Sequence, residues 1–151
     1  VANSQAICTS FKVELLKGIH ALGTTVVRGA TTKDTIKAAL FLASASRGAG
    51  DTVYNTTGEV SGTNYTAGGV TVTNGTEPTS TSTTAHWTPS ASISYTTVTL
   101  STSFDAVLLY NSTQGDKAIA VYTFGAQTIT AGTFTLTMPT NDNVTGLLRL
   151  A

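Results

Sequence analysis

From Pro78 to Phe104 the chain reads PTSTSTTAHWTPSASISYTTVTLSTSF, 27 residues without one formal charge. A run so rich in Ser and Thr is either solvated low-complexity chain or pleated strand. Trp87, Ile93, Tyr95, Val98 and Leu100 decide for strand, because they supply apolar anchors within the run. Thr is β-branched, so it fits a pleated surface while its hydroxyl still bonds to water or to a partner. The bias extends along the chain: 45 of its 151 residues are Ser or Thr. The reading is an all-β domain with a hydroxyl-covered surface, joined by Ser/Pro loops.

That bias displaces charge. Charged residues make up 11% of the chain and the net charge is zero, against about a quarter charged in a typical domain. A nucleic-acid binder needs a basic stripe to engage phosphates, so no nucleic acid is expected as partner. A neutral, hydroxylated surface is cheaper to desolvate than one covered by Lys and Glu, which suits extensive protein contacts. Cys8 stands alone, which excludes an intrachain disulfide and reads as a small half-buried apolar group. No stretch approaches the roughly 20 apolar residues that span a bilayer, so no membrane is expected either. The length fits one domain, 1–151, large enough for a real core.

The first 25 residues differ from the rest. In SFKVELLKGIHALG the residues Phe11, Leu15, Ile19 and Leu22 recur at near-helical spacing, with Lys12 and Lys17 on other faces. One short amphipathic helix is predicted over 10–22, with Ser10 as its N-cap and Gly23 as its stop. The stripe is the candidate interface, laid into a groove on a neighbour, unless the helix merely covers an open end of its own sandwich. Strands follow at TIKAALFLAS (35–44), GVTVT, DAVLLYN (105–111) and KAIAVYTFG (117–125), the last two joined by the turn STQGD. Asn74-Gly75 predicts a two-residue hairpin turn, and Pro78 demotes the return strand to an edge or a loop. TITAGTFTLTMP is expected as alternating strands around Ala131-Gly132, and NVTGLLRLA as a last apolar strand. About eight short strands at regular spacing predict a β-sandwich or jelly roll.

Chemistry finds little to work with. The segment GEVSGTNYTAGGVTVTNG (58–75) holds five glycines, but no Lys-Ser/Thr follows them and they lead into a strand instead of a helix N-terminus. A phosphate cradle is therefore excluded in favour of tight turns, with Tyr54 and Tyr65 anchoring the segment to the core. The five Asp and three Glu are scattered singly. Glu59 and Asp105 read as solvated or turn-forming carboxylates, and His20 and His86 have no neighbouring ligands. No catalytic residue, metal site or cofactor is expected. Trp87, Tyr54, Tyr65 and Tyr95 could form a sugar-stacking face, against which stands their use as core. Five Asn-x-Ser/Thr sequons occur, at Asn55, Asn64, Asn74, Asn111 and Asn143. With so much Ser and Thr, part of that number arises by chance, and Asn74 and Asn111 already have turn roles.

Six segments together carry a resemblance. ICTSFKVELLKGIH, IKAALFLASA, VYNTTGEVSGTNYTAGGVTVT, VLLYNST, AIAVYTFG and LLRLA follow one another in an order and spacing similar to a small structural protein family of tailed bacteriophages, described as virion or capsid-associated proteins. The resemblance spans nearly the whole chain; GEVSGTNYTAGG is its most specific part, and Thr79–Ser103 departs from it. It implies a particle component without enzymatic activity, of the decoration (cement) type. Such a protein binds the major capsid protein on the capsid surface as an oligomer, with a homotrimer expected. A tail or neck component and a glycan-binding host-attachment module are the competing expectations.

Overall fold

The computed structural model describes residues 2–16, 18–24 and 32–151. In chain order its elements are β1 (Ala6–Ile7), α1 (Thr9–Leu16), β2 (Ile36–Leu42), β3 (Val70–Thr71) and β4 (Thr79–Thr81). β5 (Thr84–Trp87), β6 (Ile93–Asn111), β7 (Lys117–Leu136) and β8 (Leu148–Leu150) follow. The strands form two antiparallel sheets, one of order β1-β7-β6-β2-β3 and one of order β4-β5-β8. The protein is mostly β, sandwich-like, with one short N-terminal helix.

Among the described residues there are eight strands, about the number expected, but two of them are very long instead of short. β6 has 19 residues and β7 has 20, and they pair from Ile93↔Leu136 to Asn111↔Lys117. The STQGD turn lies between them as expected. This hairpin bends back over itself. Phe124 and Phe134 lie ten residues apart on β7, a distance of about 33 Å in a straight strand, yet their ring centroids are 5.2 Å apart. Tyr95, in the outer half of β6, donates its hydroxyl to the carbonyl of Ala38 on β2, 2.8 Å away.

Successive bulges make the bend. The register slips between Tyr95 and Val98, Val98 and Leu100, Leu100 and Phe104, and Phe104 and Ala106. Extra residues on one strand are matched by extra residues on the other, so Tyr95 to Ala106 and Phe134 to Thr123 are equal in length. Bulges bend a strand and sharpen its twist, and here they turn a corner. Phe104, Phe124 and Phe134 fill the inside of that corner, with Phe104 edge-on to Phe134 at 5.1 Å. Ala131, expected between alternating strands, is instead a bulge within one strand, β7, with φ of 45°. The core lies between the two arms and is built from Leu40, Phe41, Tyr95, Leu100, Phe104, Leu108 and Ile119, all nearly or fully buried.

Between β2 and β3 the chain makes the glycine-rich excursion over residues 43–69. It returns along the edge of β2, where Val60 N–H donates to Leu40 and Leu42 N–H to Gly58. Gly69 has φ of 69° and packs its backbone against Ala38, where any Cβ would collide with the carbonyl. The expected anchoring by Tyr54 and Tyr65 is present: Tyr54 stacks on Tyr110 at 4.5 Å and Tyr65 on Tyr95 at 6.0 Å. Glu59 is not the solvated carboxylate expected. It accepts from Tyr54 Oη (2.6 Å), Tyr65 Oη (2.8 Å) and Gly68 N–H (2.8 Å). Burial first, then the bond to Glu59, raises both phenols well above their ordinary range. Asp105 likewise accepts from Asn3 Nδ2 at 2.6 Å.

Two further expectations change. Asn74-Gly75 is not a hairpin turn, because β3 pairs with β2 while β4 joins the other sheet. Asn74 is buried, and its Nδ2 donates to Leu22 O at 2.5 Å. Pro78 does precede an edge strand, β4. The helix is shorter than predicted. Gly18, at φ of 67°, ends it: Gly18 N–H bonds to Leu15 O and Ile19 N–H to Glu14 O, the paired bonds of a Schellman cap. Ser10 lies inside the helix and donates to Asp51 O instead of capping. Lys17 lies outside the described residues.

Candidate functional site

Because the helix stops at Leu16, Phe11, Leu15, Ile19 and Leu22 do not form one helical stripe. Phe11 is 1% exposed and its ring meets His20 edge-on at 4.7 Å, so it belongs to the core. Leu22 is buried, while Leu15 and Ile19 are half-buried. Three of the four nevertheless come together. Phe11, Leu15 and Leu22 line an apolar groove of about 320 Å³, and Ile19 stays outside it.

The opposite wall comes from the small sheet. Trp87 of β5 and Leu148 of β8 are buried at the base, with Pro78, Ala85 and Leu150 around the rim. Leu150 is 47% exposed. Trp87 is fixed by its indole N–H, which donates to Thr76 O at 3.1 Å. The groove therefore exists because β4, β5 and β8 stand apart from the large sheet, and the 20–23 segment bridges only part of the gap. Neither Trp87 nor the LLRLA strand entered the expected interface, although both were visible as apolar signals.

From His20 on the groove wall runs a largely buried polar chain linking α1 to the β6–β7 turn, with half-buried Lys117 at one end. Glu14 accepts from Lys117 Nζ and pairs with His20 Nε2, each at 2.8 Å. Asn111 Oδ1 accepts Gln114 N–H at 3.2 Å, which orients the amide so that Nδ2 faces His20 Nδ1 (2.9 Å) and Asp34 Oδ2 (2.8 Å). His20 Nδ1 is then the acceptor, and Nε2 carries the proton given to Glu14. Asp34 also receives Ala21 N–H at 2.7 Å and Gln114 Nε2 at 3.0 Å. Burial works to raise the Glu14 carboxyl, but the bonds from Lys117 and His20 outweigh it and hold the group below its ordinary range. Asp34 is lowered in the same way, with burial overcome by Asn111, Gln114 and Ala21.

The chain carries imidazole between carboxylate and amide, but among the described residues no Ser, Thr or Cys side chain is bonded to it. His86, on the groove wall, is engaged by Thr81 Oγ1 at 3.2 Å and Asn141 Oδ1 at 3.1 Å. Cys8 is fully buried, and burial, then the charge of Asp51, pushes its thiol up to about 12, so it stays a protonated apolar group. Among the described residues no three His, Cys, Asp or Glu side chains are grouped to hold a metal ion, and no helix is long and apolar enough to cross a membrane. Trp87 and Tyr95 are buried, and Tyr54 and Tyr65 pack against the core, so these four aromatics offer no exposed stacking face. What the site presents is shape and apolar surface. Comparison of the chain with protein-family models, with curated proteins and with solved structures finds no match.

Proposed function

We propose that this chain is a structural component of a tailed-phage particle, a decoration protein that binds the major capsid protein on the head surface and stabilises it. Its attachment site is the groove between α1 and the β4-β5-β8 sheet. One observation carries the reading: the groove is mostly apolar, its base is fixed by Phe11 and Trp87, and the polar groups of its lining, His20, His86 and Glu77, are already bonded within the protein. A preformed apolar slot suits binding of a side chain or short segment, with little ordering cost on this partner. No reaction, cofactor or nucleic acid is assigned, and the resemblance of the six segments supplies the particle.

The test separates attachment from folding. Leu150→Glu places a charge at the exposed rim; it leaves the melting temperature unchanged and reduces occupancy on undecorated heads. Phe11→Ala is the control for the core, losing about 3–5 kcal/mol of stability. Full occupancy by a folded Leu150→Glu protein overturns the groove as the attachment site. Copy number per particle addresses the location, since a capsid decoration protein is present in hundreds of copies and a tail or neck component in a handful.

A further inference from the structure

We propose that the outer run of β7, Thr128–Leu136, pairs antiparallel with the same run of a second copy of this chain. β7 bonds to β6 along its length, but on its other side β1 meets it only at Ala120 and Val121. Among the described residues no strand covers that side from Thr123 to Leu136. An uncovered edge presents backbone N–H and C=O groups whose natural complement is another extended chain. The run of nine residues is about 30 Å long, well beyond an average strand of 5–6 residues.

Apart from the bulge at Ala131, the sequence of this edge lacks the usual protection against pairing. Between Lys117 and Asp142 there is no Lys, Arg, Asp or Glu, and no Pro before Pro139. The run is rich in β-branched residues, with Thr128, Thr130, Thr133 and Thr135 exposed on one face. On the other face Ile129, Phe134 and Leu136 are half-buried against the core, so a paired copy continues the outer layer and covers what each subunit leaves open. Charge and symmetry select the occupant. A neutral edge meets its own copy without repulsion and offers no attraction to a charged partner. An antiparallel strand meets itself about a two-fold axis, so one surface satisfies both copies. The assembly is a dimer, in place of the homotrimer expected from the sequence.

The proposal is independent of capsid binding and is tested on the purified chain. Sedimentation equilibrium gives a dimer mass for the wild type. Thr133→Lys/Thr135→Lys sets like charges across the axis and gives a monomer mass with an unchanged melt. Hydrogen exchange on the unaltered protein provides the second measurement: amides within Thr128–Leu136 slow as protein concentration rises across the association range, while those of β2 do not change. A monomer at all concentrations, a trimer, a doubly substituted protein that stays dimeric, or exchange in this run that ignores concentration each overturns it.

Discussion

The two ends of the β6–β7 hairpin are stabilised by opposite means. At the turn end, Asn111 and Lys117 join Glu14, His20 and Asp34 in a chain of polar bonds that ties the helix to the sheet. At the bent end, Phe104, Phe124 and Phe134 pack ring against ring, and between Pro78 and Phe104 the sequence has no charge. The first end depends on each partner being present, because a lost one strands another in a dry site. The second depends on volume, because a corner filled by three rings has no bond to break but much contact to lose. One hairpin therefore has a directional, titrating end and a non-directional, inert one.

Truncation should separate the ends most strongly. Phe104→Ala removes the fully buried ring at the corner and should cost about 3–5 kcal/mol, read as a lower urea midpoint. Asn111→Ala should cost less, about 1–3 kcal/mol, by leaving Asp34 and His20 without the amide that joins them. Asn111→Asp does not restore it, since a carboxylate has no donor to offer either neighbour. If Asn111→Ala proves as costly as Phe104→Ala, the polar end is the stronger of the two.

Acid should produce the smallest and most selective effect. Glu14 and Asp34 are both held below their ordinary values of 4.5 and 3.8. Their ionised forms therefore contribute stability in full above those values. That contribution is lost as pH falls through the lower folded values, because the unfolded chain takes up the protons first. Urea midpoints should fall between neutral pH and pH 3, and Glu14→Gln/Asp34→Asn should flatten that fall. Amide exchange at Phe104 and Phe134 should follow only the global loss, with no local opening of its own.

Only part of this contrast was legible in the residues. The apolar anchors Ile93, Tyr95, Val98 and Leu100 marked strand inside a tract that composition alone calls low-complexity, and Tyr54 and Tyr65 do anchor the glycine segment. The misplacements have two causes: in the helix a local stop outranked the spacing, and elsewhere a local signal was overruled by contacts from far along the chain. Ile19 and Leu22 keep helical spacing, but Gly18 takes a left-handed conformation and ends the helix first. Ala131-Gly132 resembles a break between strands, yet the long β6 partner keeps β7 one strand through it, with a bulge. Asn74 resembles a turn residue, but its amide is needed by Leu22, 52 positions earlier. The polar chain was invisible because it joins Glu14 to Lys117 and Asp34 to Asn111, pairs that no spacing rule connects. The groove was half visible: its helix side was expected as an interface, and its sheet side was not.

The pairing of β1 with β7 also has a consequence in time. Ala6 and Ile7 bond to Val121 and Ala120, and the Cys8 amide bonds to Ile119. During synthesis Ala6 and Ile7 must therefore wait for more than a hundred further residues before their partner strand exists. Until then Ile7 and Phe11 have no place to bury, while β6 and β7, neighbours in sequence, can pair as soon as both are made. Long-range closure of this kind is slow, because the chain entropy is lost before the contacts form. The hairpin is thus the template on which Ala6, Ile7 and Cys8 settle, and α1, which follows them directly, is fixed only after β7 is in place.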